Sequence, residues 1–486
     1  MSLKKQAAKG GLWISITRTG INVVDFIVFA YLARILSLEE FGLVAFCMIF
    51  IELANTVVNA GVNQNIVQRK TWDEKYASST MVYVIGLAML LAVGLVFIGA
   101  PIAYYTYSHT SAFVLMSLAP LTLLISTQVV FNGKLVREFK NKQIGIVRFI
   151  VSILSAIVII TLAESGLGLW SLVIGRLVSA TVELLLMSYI ANFKPKFYFN
   201  KADKKELQDF CLPLLGSALL SALNQKATTL LTGLVLGPAK FALLNAAKRG
   251  ESMLTQITMT SINSMVVPSF SRVKEKANLG DLYINLVVIT ATAVMPIFMG
   301  LAAIADPFVT ILFGDKFSES AIFMTISAFA MFTAIIGWFL PTLLVSQAKT
   351  GDAFKLNILN IVTSLIIAGS TIWFGIKVML ISIVIGGLLV MPLRFRIVTK
   401  HIAIDIKKLI INIFPPYFSA FAMFACVMGS KDFLSNLITN DITLLASLII
   451  LGAISYLVIN CLFFYRHTRR QIKEIKEIFG GRNKAT

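Results

Sequence analysis

An all-α polytopic membrane protein is the fold this sequence predicts, and three observations predict it. Hydrophobic residues make up 57% of the 486 and charged residues only 14%. Apolar runs of about twenty residues recur from one end of the chain to the other, the length a helix needs to cross a bilayer. The breaks between runs are charged or rich in Gly and Pro, as loops between spans are. Together they give about fourteen transmembrane helices.

In chain order the expected spans lie near 9–33, 40–65, 78–105, 112–132, 143–163, 167–191, 208–235, 240–268, 282–304, 319–346, 354–374, 377–393, 408–428 and 443–464. The formal charge of +19 could suggest a nucleic-acid partner. Its placement argues otherwise. Most of the Lys and Arg fall on one side of the membrane: Lys4, Lys5 and Lys9, Arg69, Lys70 and Lys75, the groups at 134–142, 194–205, 272–276, 349–355 and 394–408, and the tail from Arg466. Arg34, Lys240, Lys316, Lys377 and Lys431 fall on the other. Under the positive-inside rule this puts both termini in the cytoplasm and accounts for most of the charge.

Cys47, Cys211, Cys426 and Cys461 lie in or at spans without metal-ligand spacing, and His109, His401 and His467 are scattered. No catalytic constellation or zinc pattern is present, so no enzyme, metal or cofactor is expected. Residues 466–479 place Ile472, Ile475 and Phe479 on one face among basic residues, which predicts an amphipathic helix on the inner leaflet.

A weak repeat bears on mechanism. Ile35-Leu36-Ser37-Leu38-Glu39-Glu40-Phe41-Gly42-Leu43 aligns with Val235-Leu236-Gly237-Pro238-Ala239-Lys240-Phe241-Ala242-Leu243, and Asn63 and Val67 align with Asn263 and Val267. An even number of spans per half makes the repeat parallel, the arrangement in which two lobes rock about a central cavity. The expected organisation is an N-terminal lobe at 1–192 with six spans, a cytoplasmic basic linker at 193–207, a C-terminal six-span lobe at 208–400, two extra spans at 401–465, and a tail at 466–486.

Several stretches resemble the Wzx-type polysaccharide flippases of the multidrug/oligosaccharidyl-lipid/polysaccharide (MOP) exporter superfamily. They are Gly11-Leu12-Trp13 with Leu32 to Gly42, Leu135-Val136-Arg137-Glu138-Phe139, Gly166 to Gly175, Pro268-Ser269-Phe270-Ser271-Arg272, and Leu312-Phe313-Gly314-Asp315-Lys316. The resemblance implies fourteen helices in two lobes in a bacterial inner membrane. It also implies a substrate, an undecaprenyl-type polyprenyl diphosphate-linked oligosaccharide, flipped to the periplasmic face by alternating access for lipopolysaccharide, capsule or exopolysaccharide synthesis. Membrane lipids, a polysaccharide polymerase and a chain-length regulator are the other partners it admits. The alternative within the superfamily is a MATE-like drug/cation antiporter.

The candidate site is read from polar residues inside spans, because lipid accepts neither charges nor amides cheaply. At about 100° per residue, Arg18, Asn22 and Asp25 share a face of span one. Glu52, Asn55, Asn59 and Asn63 share one on span two. Span seven offers Ser217, Ser221, Asn224 and Thr228 together with the cation Lys226, and span eight aligns Asn245, Lys248, Arg249, Ser252 and Gln256. Glu251 is expected to point about 100° or more away from both Lys248 and Arg249. Cations suit a diphosphate and amides suit sugars. A structural ion pair is an open reading for Arg18 with Asp25 and for Arg176 with Glu183, and Arg148 is placed to snorkel to headgroups. Coupling to H+, Na+ or the membrane potential stays open. A cation beside Asp25 would make it a poor proton carrier.

Overall fold

The computed structural model describes residues 3–272 and 276–464, with side chains described at 13, 16–105, 107–259 and 279–464. Thirteen helical stretches among them are long and apolar enough to cross a membrane. One of the thirteen, Lys201–Met259, holds two expected spans, so the expected number is recovered. No strand occurs among the described residues. The expected tail helix at 466–479 lies outside them.

Two compact units divide the chain, Met1–Ala242 and Leu243–Thr486. The first contains α1 (Leu3–Ile35), α2 (Leu38–Asn59), α3 (Val62–Gln68), α4 (Glu74–Gly94), α5 (Ala100–Thr106), α6 (His109–Leu118), α7 (Pro120–Arg137), α8 (Asn141–Leu162), α9 (Trp170–Ala191) and the first arm of α10 (Lys201–Arg272). Here α8 packs on α1 and α9, while α7 packs on α3, α4 and α9. The basic segment 193–207 and the helix after it therefore lie within the first unit. Gly61 packs against Cys211 and Leu214 of that arm, and Gly233 of the same arm receives the ring of Phe46.

Each break between helices has a local cause. Ser37 caps α2 reciprocally: its hydroxyl accepts from the Glu40 amide at 3.2 Å, and the Glu40 carboxylate accepts from the Ser37 amide at 3.0 Å. This Ser-x-x-Glu box satisfies amide groups that lipid could not. At the aligned position two hundred residues on, Gly237 breaks α10 with φ 85° and ψ 173°, and Pro238 follows it. Only glycine adopts that φ without strain, and proline suits the first turn of a helix. Both copies of the repeat are thus helix–break–helix turns, made by different chemistry.

The two turns also touch. A Cβ on Gly42 would lie 1.9 Å from the Pro238 carbonyl oxygen and 3.2 Å from the Ala242 methyl. Phe241 is buried against Phe46 beside this contact, their ring centroids 5.7 Å apart. Backbone cannot step aside as a side chain can. Gly42→Val is therefore expected to cost about 1–3 kcal/mol or more, seen as a lower melting temperature and a smaller monodisperse yield after solubilisation. Parental values for both would show that the contact is not kept in the membrane.

The second unit contains α11 (Lys276–Ala303), α12 (Ala305–Phe313), α13 (Glu319–Phe329), α14 (Met331–Trp338), α15 (Leu340–Ser346), α16 (Thr350–Thr371), α17 (Ile376–Thr399), α18 (Ile406–Leu437) and α19 (Asp441–Phe463). Its core centres on α11, where Tyr283, Val287, Val294, Met295 and Phe298 are fully buried. Pro296 inside α11 lacks the amide that would bond the Thr292 carbonyl. The Tyr456 hydroxyl of α19 donates to that carbonyl at 2.9 Å instead. Likewise the Tyr283 hydroxyl donates to Ile336 at 2.7 Å, just before α14 ends. On the outside of the unit Leu389, Ile450, Leu457 and Leu462 are exposed, as side chains facing acyl chains should be.

Candidate functional site: a charged cleft between two helices

Two helices of the first unit face each other across a cleft of about 390 Å³. From α2 come Glu52, Leu53 and Thr56, and from the first arm of α10 come Ala218, Ser221, Ala222, Gln225 and Lys226. Spacings of three, four, seven and eight residues put the α10 set on one helical face. At its centre Lys226 Nζ lies 2.8 Å from Glu52 Oε2, with the side chains 38% and 49% exposed. A pair this open is screened and contributes little to stability, so it is an exchangeable contact and not a structural rivet. Around it the Gln225 amide donates to Ser221 Oγ at 3.3 Å, and Thr56 Oγ1 donates to the Glu52 carbonyl at 2.8 Å. The cleft thus offers one cation with a removable counter-ion, an amide and hydroxyls. The alanines leave the room.

Of the sequence-predicted residues, Glu52 and Lys226 meet here. Asn55 does not open onto the cleft: it is buried and accepts a hydrogen bond from Ser126 Oγ at 3.2 Å, tying α2 to α7. Asn59, one turn on, has a covered amide oxygen without a partner among the described residues. Asn224 is exposed on the α10 arm, outside the cleft lining. On α1, Arg18 is exposed, and Asn22 and Asp25 are partly covered. Arg18 and Asp25 do not form the ion pair that their spacing allows. Nor do Arg176 and Glu183, because Arg148 of α8 takes Glu183, its Nε lying 3.0 Å from Oε1. Arg148 is therefore a helix-to-helix contact and does not simply snorkel.

In the second unit, the second arm of α10 carries Asn245, Lys248 and Arg249, all partly covered, with Ser252 and Gln256 exposed. Ser252 Oγ donates back to the Arg249 carbonyl at 3.0 Å. The expectation for Glu251 needs correction. Three residues on from Lys248 it lies only about 60° round the helix, and the Lys248 ammonium acts on its carboxyl. Lys248 is a partnered cation.

Sequence reasoning left Thr56 and Gln225 out of the site, and it named Ser221 only as part of the span-seven stripe. Two signals were available: Thr56 follows Glu52 by one helical turn, and Ser221 and Gln225 stand four residues apart beside Lys226. The motif Leu135 to Phe139 has a different use. Arg137 donates to the carbonyls of Ile66 at 3.3 Å and Lys70 at 2.9 Å, and also to that of Arg69, so it caps the end of α3. Arg69 then lies 3.0 Å from Glu206 and stacks over the Tyr76 ring at 3.3 Å.

Thirteen membrane-length helical stretches in two units, with a charged cleft inside one of them, define a multi-pass helical membrane protein. Residues 31–322 match the polysaccharide biosynthesis protein family, and the chain belongs to that family. It is similar to the succinoglycan biosynthesis transport protein ExoT of Rhizobium meliloti (strain 1021), 25% identical over 310 residues, which are 63% of this chain and 62% of that protein's length. The lipopolysaccharide biosynthesis protein WzxC of Escherichia coli (strain K12) is 23% identical over 443 residues, 89% of this chain and 83% of that one. Among solved structures the lipid II flippase MurJ in an inward closed conformation aligns with a TM-score of 0.76 at 15% identity, covering 94% of this chain and 99% of that one. The Vibrio cholerae MATE transporter VcmN aligns with a TM-score of 0.57 at 13% identity, covering 82% and 96%. At such identities the structural likeness is one of fold. The family match and the similarity to polysaccharide-biosynthesis proteins agree with the resemblance to Wzx-type proteins read from the sequence.

Proposed function

We propose that this protein flips a polyprenyl diphosphate-linked oligosaccharide from the cytoplasmic to the periplasmic face of a bacterial inner membrane, with both termini in the cytoplasm. The observation that carries this reading is the Lys226–Glu52 pair at 2.8 Å, half-exposed in a cleft that also presents Ser221, Gln225 and Thr56. A substrate phosphate displaces the Glu52 carboxylate from Lys226 and takes its charge-assisted hydrogen bond. The hydroxyls and the amide meet the sugar. Alternating access then releases the headgroup outside, while the lipid tail stays in the bilayer. Moving about two negative charges outward across about 100 mV, inside negative, gains about 4.6 kcal/mol if the full potential is crossed, which biases direction without a coupling ion.

The test is exposure of a fluorescent polyprenyl diphosphate oligosaccharide in proteoliposomes, read with an impermeant quencher. The expected result is exposure well above that of protein-free vesicles, and faster under a potential negative on the donor side. Equal exposure with and without protein sinks the proposal. One observation favours a second reading, drug/cation antiport: Asp25 forms no ion pair with Arg18, so the cation that argued against proton carriage at this carboxylate is not engaged with it. Efflux of a cationic dye driven by a pH gradient, with no headgroup flipping, would support that reading.

A further inference from the structure

The second unit holds a guanidinium that nothing proposed so far uses. Arg394 sits on α17, six residues before Lys400, and its Nε is fully covered without a hydrogen-bond partner. Among the described residues no carboxylate pairs with Arg394. Its Nη1 occupies the space above Gly337 of α14, 3.2 Å from where a Cβ would stand. Thr333 meets Gly387 four residues earlier on α14 and seven earlier on α17, so the two helices run parallel and Gly337 is the notch that admits the arginine. From α16 comes Asn360. Gly386 packs on Ile367 across the α16–α17 hairpin, and counting seven and eight residues down the two helices sets Asn360 level with Arg394. The Asn360 amide oxygen is also covered and unpartnered.

A partly covered guanidinium without a counter-charge loses solvation that no neighbouring group returns. The neighbourhood adds positive charge: Lys349, Arg396 and Lys400 lie at the same end of the unit. Asp352 there is already engaged by Lys355 at 3.1 Å and His401 at 2.7 Å. Water could bond Nε, but it would not balance the charge. A planar guanidinium, with an amide at the same level of the neighbouring helix, matches the oxygens of a phosphate.

We propose that Arg394, Gly337 and Asn360 form a phosphate-binding notch in the second unit, separate from the Lys226 cleft. Arg394 supplies the fork and the charge, Asn360 turns its amide to donate, and Gly337 keeps the space open. The phosphate comes from a lipid headgroup or from free phosphate. Both sources present the same oxygens.

The experiment measures binding, so its outcome is independent of whether the protein flips an oligosaccharide. Purified full-length protein is taken from discs of phosphatidylcholine with and without phosphatidylglycerol, and retained lipid is counted by native mass spectrometry. Inorganic phosphate is titrated in parallel by thermal melting. The parental protein is expected to retain phosphatidylglycerol or to be stabilised saturably by phosphate. Arg394→Gln should weaken whichever is seen by about tenfold or more, the loss of a charge-assisted contact. Arg394→Lys should fall between. Gly337→Val keeps the charge but fills the notch and should weaken binding likewise, which preserves the test if Arg394→Gln fails to insert. Retention that inorganic phosphate does not displace assigns the source to lipid, and full displacement assigns it to free phosphate. Equal binding in parental protein, Arg394→Gln and Gly337→Val, or no phosphate-dependent binding in the parental protein, overturns the notch.

Discussion

Lys226→Gln is expected to lower headgroup flipping in proteoliposomes by about tenfold to a hundredfold while leaving insertion and melting temperature nearly unchanged. The two halves of that expectation come from the same geometry. With both side chains substantially exposed, the Lys226–Glu52 pair contributes about 0–1 kcal/mol to stability, so its loss does not unfold the helix pair. A charge-assisted hydrogen bond to a phosphate oxygen is worth about 1.5–3 kcal/mol, and that is what transport loses. Exchanging the two charges, Lys226→Glu with Glu52→Lys, separates a binding role from a structural one. The swap restores the pair but moves the cation to α2. If it flips at the parental rate, Lys226 is a helix contact and the site has been misread.

The double variant Lys248→Ala, Arg249→Ala should be the more damaging, by about a hundredfold or more, since it removes two cations at once. Both lie partly covered on the second arm of α10, among Asn245, Ser252 and Gln256. A stably inserted double variant that flips at the parental rate would end the expectation, read from the sequence, that these two cations meet the substrate. The single variants should be unequal. Lys248 stands three residues before Glu251 on the same helix, so Lys248→Ala removes the cation that neighbours that carboxyl on the helix surface and should reduce yield as well as rate. Arg249→Lys should preserve most activity if only charge matters, and lose it if a forked contact does.

Much of the fold was legible because lipid imposes a single demand, an apolar run that satisfies its own backbone. The spans near 143–163 and 443–464 appear as α8 and α19 with ends shifted by a few residues. The family motifs were legible as motifs but not as devices. Structure shows what several of them do: Glu40-Phe41-Gly42 closes a capping box and makes a backbone-close contact, Arg137 caps α3, and Gly314 takes φ 82° to turn between Phe313 and Phe317, both fully buried. They are helix-break chemistry. The residues that meet the substrate in the proposal lie elsewhere.

Helical phase placed polar residues on faces, yet a face has several neighbours. Asn55 and Glu52 lie close on α2 in sequence, but Asn55 turns to Ser126 of α7 while Glu52 turns to Lys226 of α10. Glu183 shares a phase with Arg176 on its own helix, and the helix next door supplies Arg148 first.

By itself, then, the sequence determined the solvent, the span order, the helix breaks at Ser37 and Gly237 and the inventory of in-span charge, because each follows from local composition and from the cost of exposing backbone to lipid. Tertiary structure alone decided which charges are partners and which alanines leave a cleft between them. Pairing depends on the rotation and depth of one helix against another, set by contacts such as Gly42 on Pro238 and Phe46 on Gly233, and no single helix's periodicity contains that information.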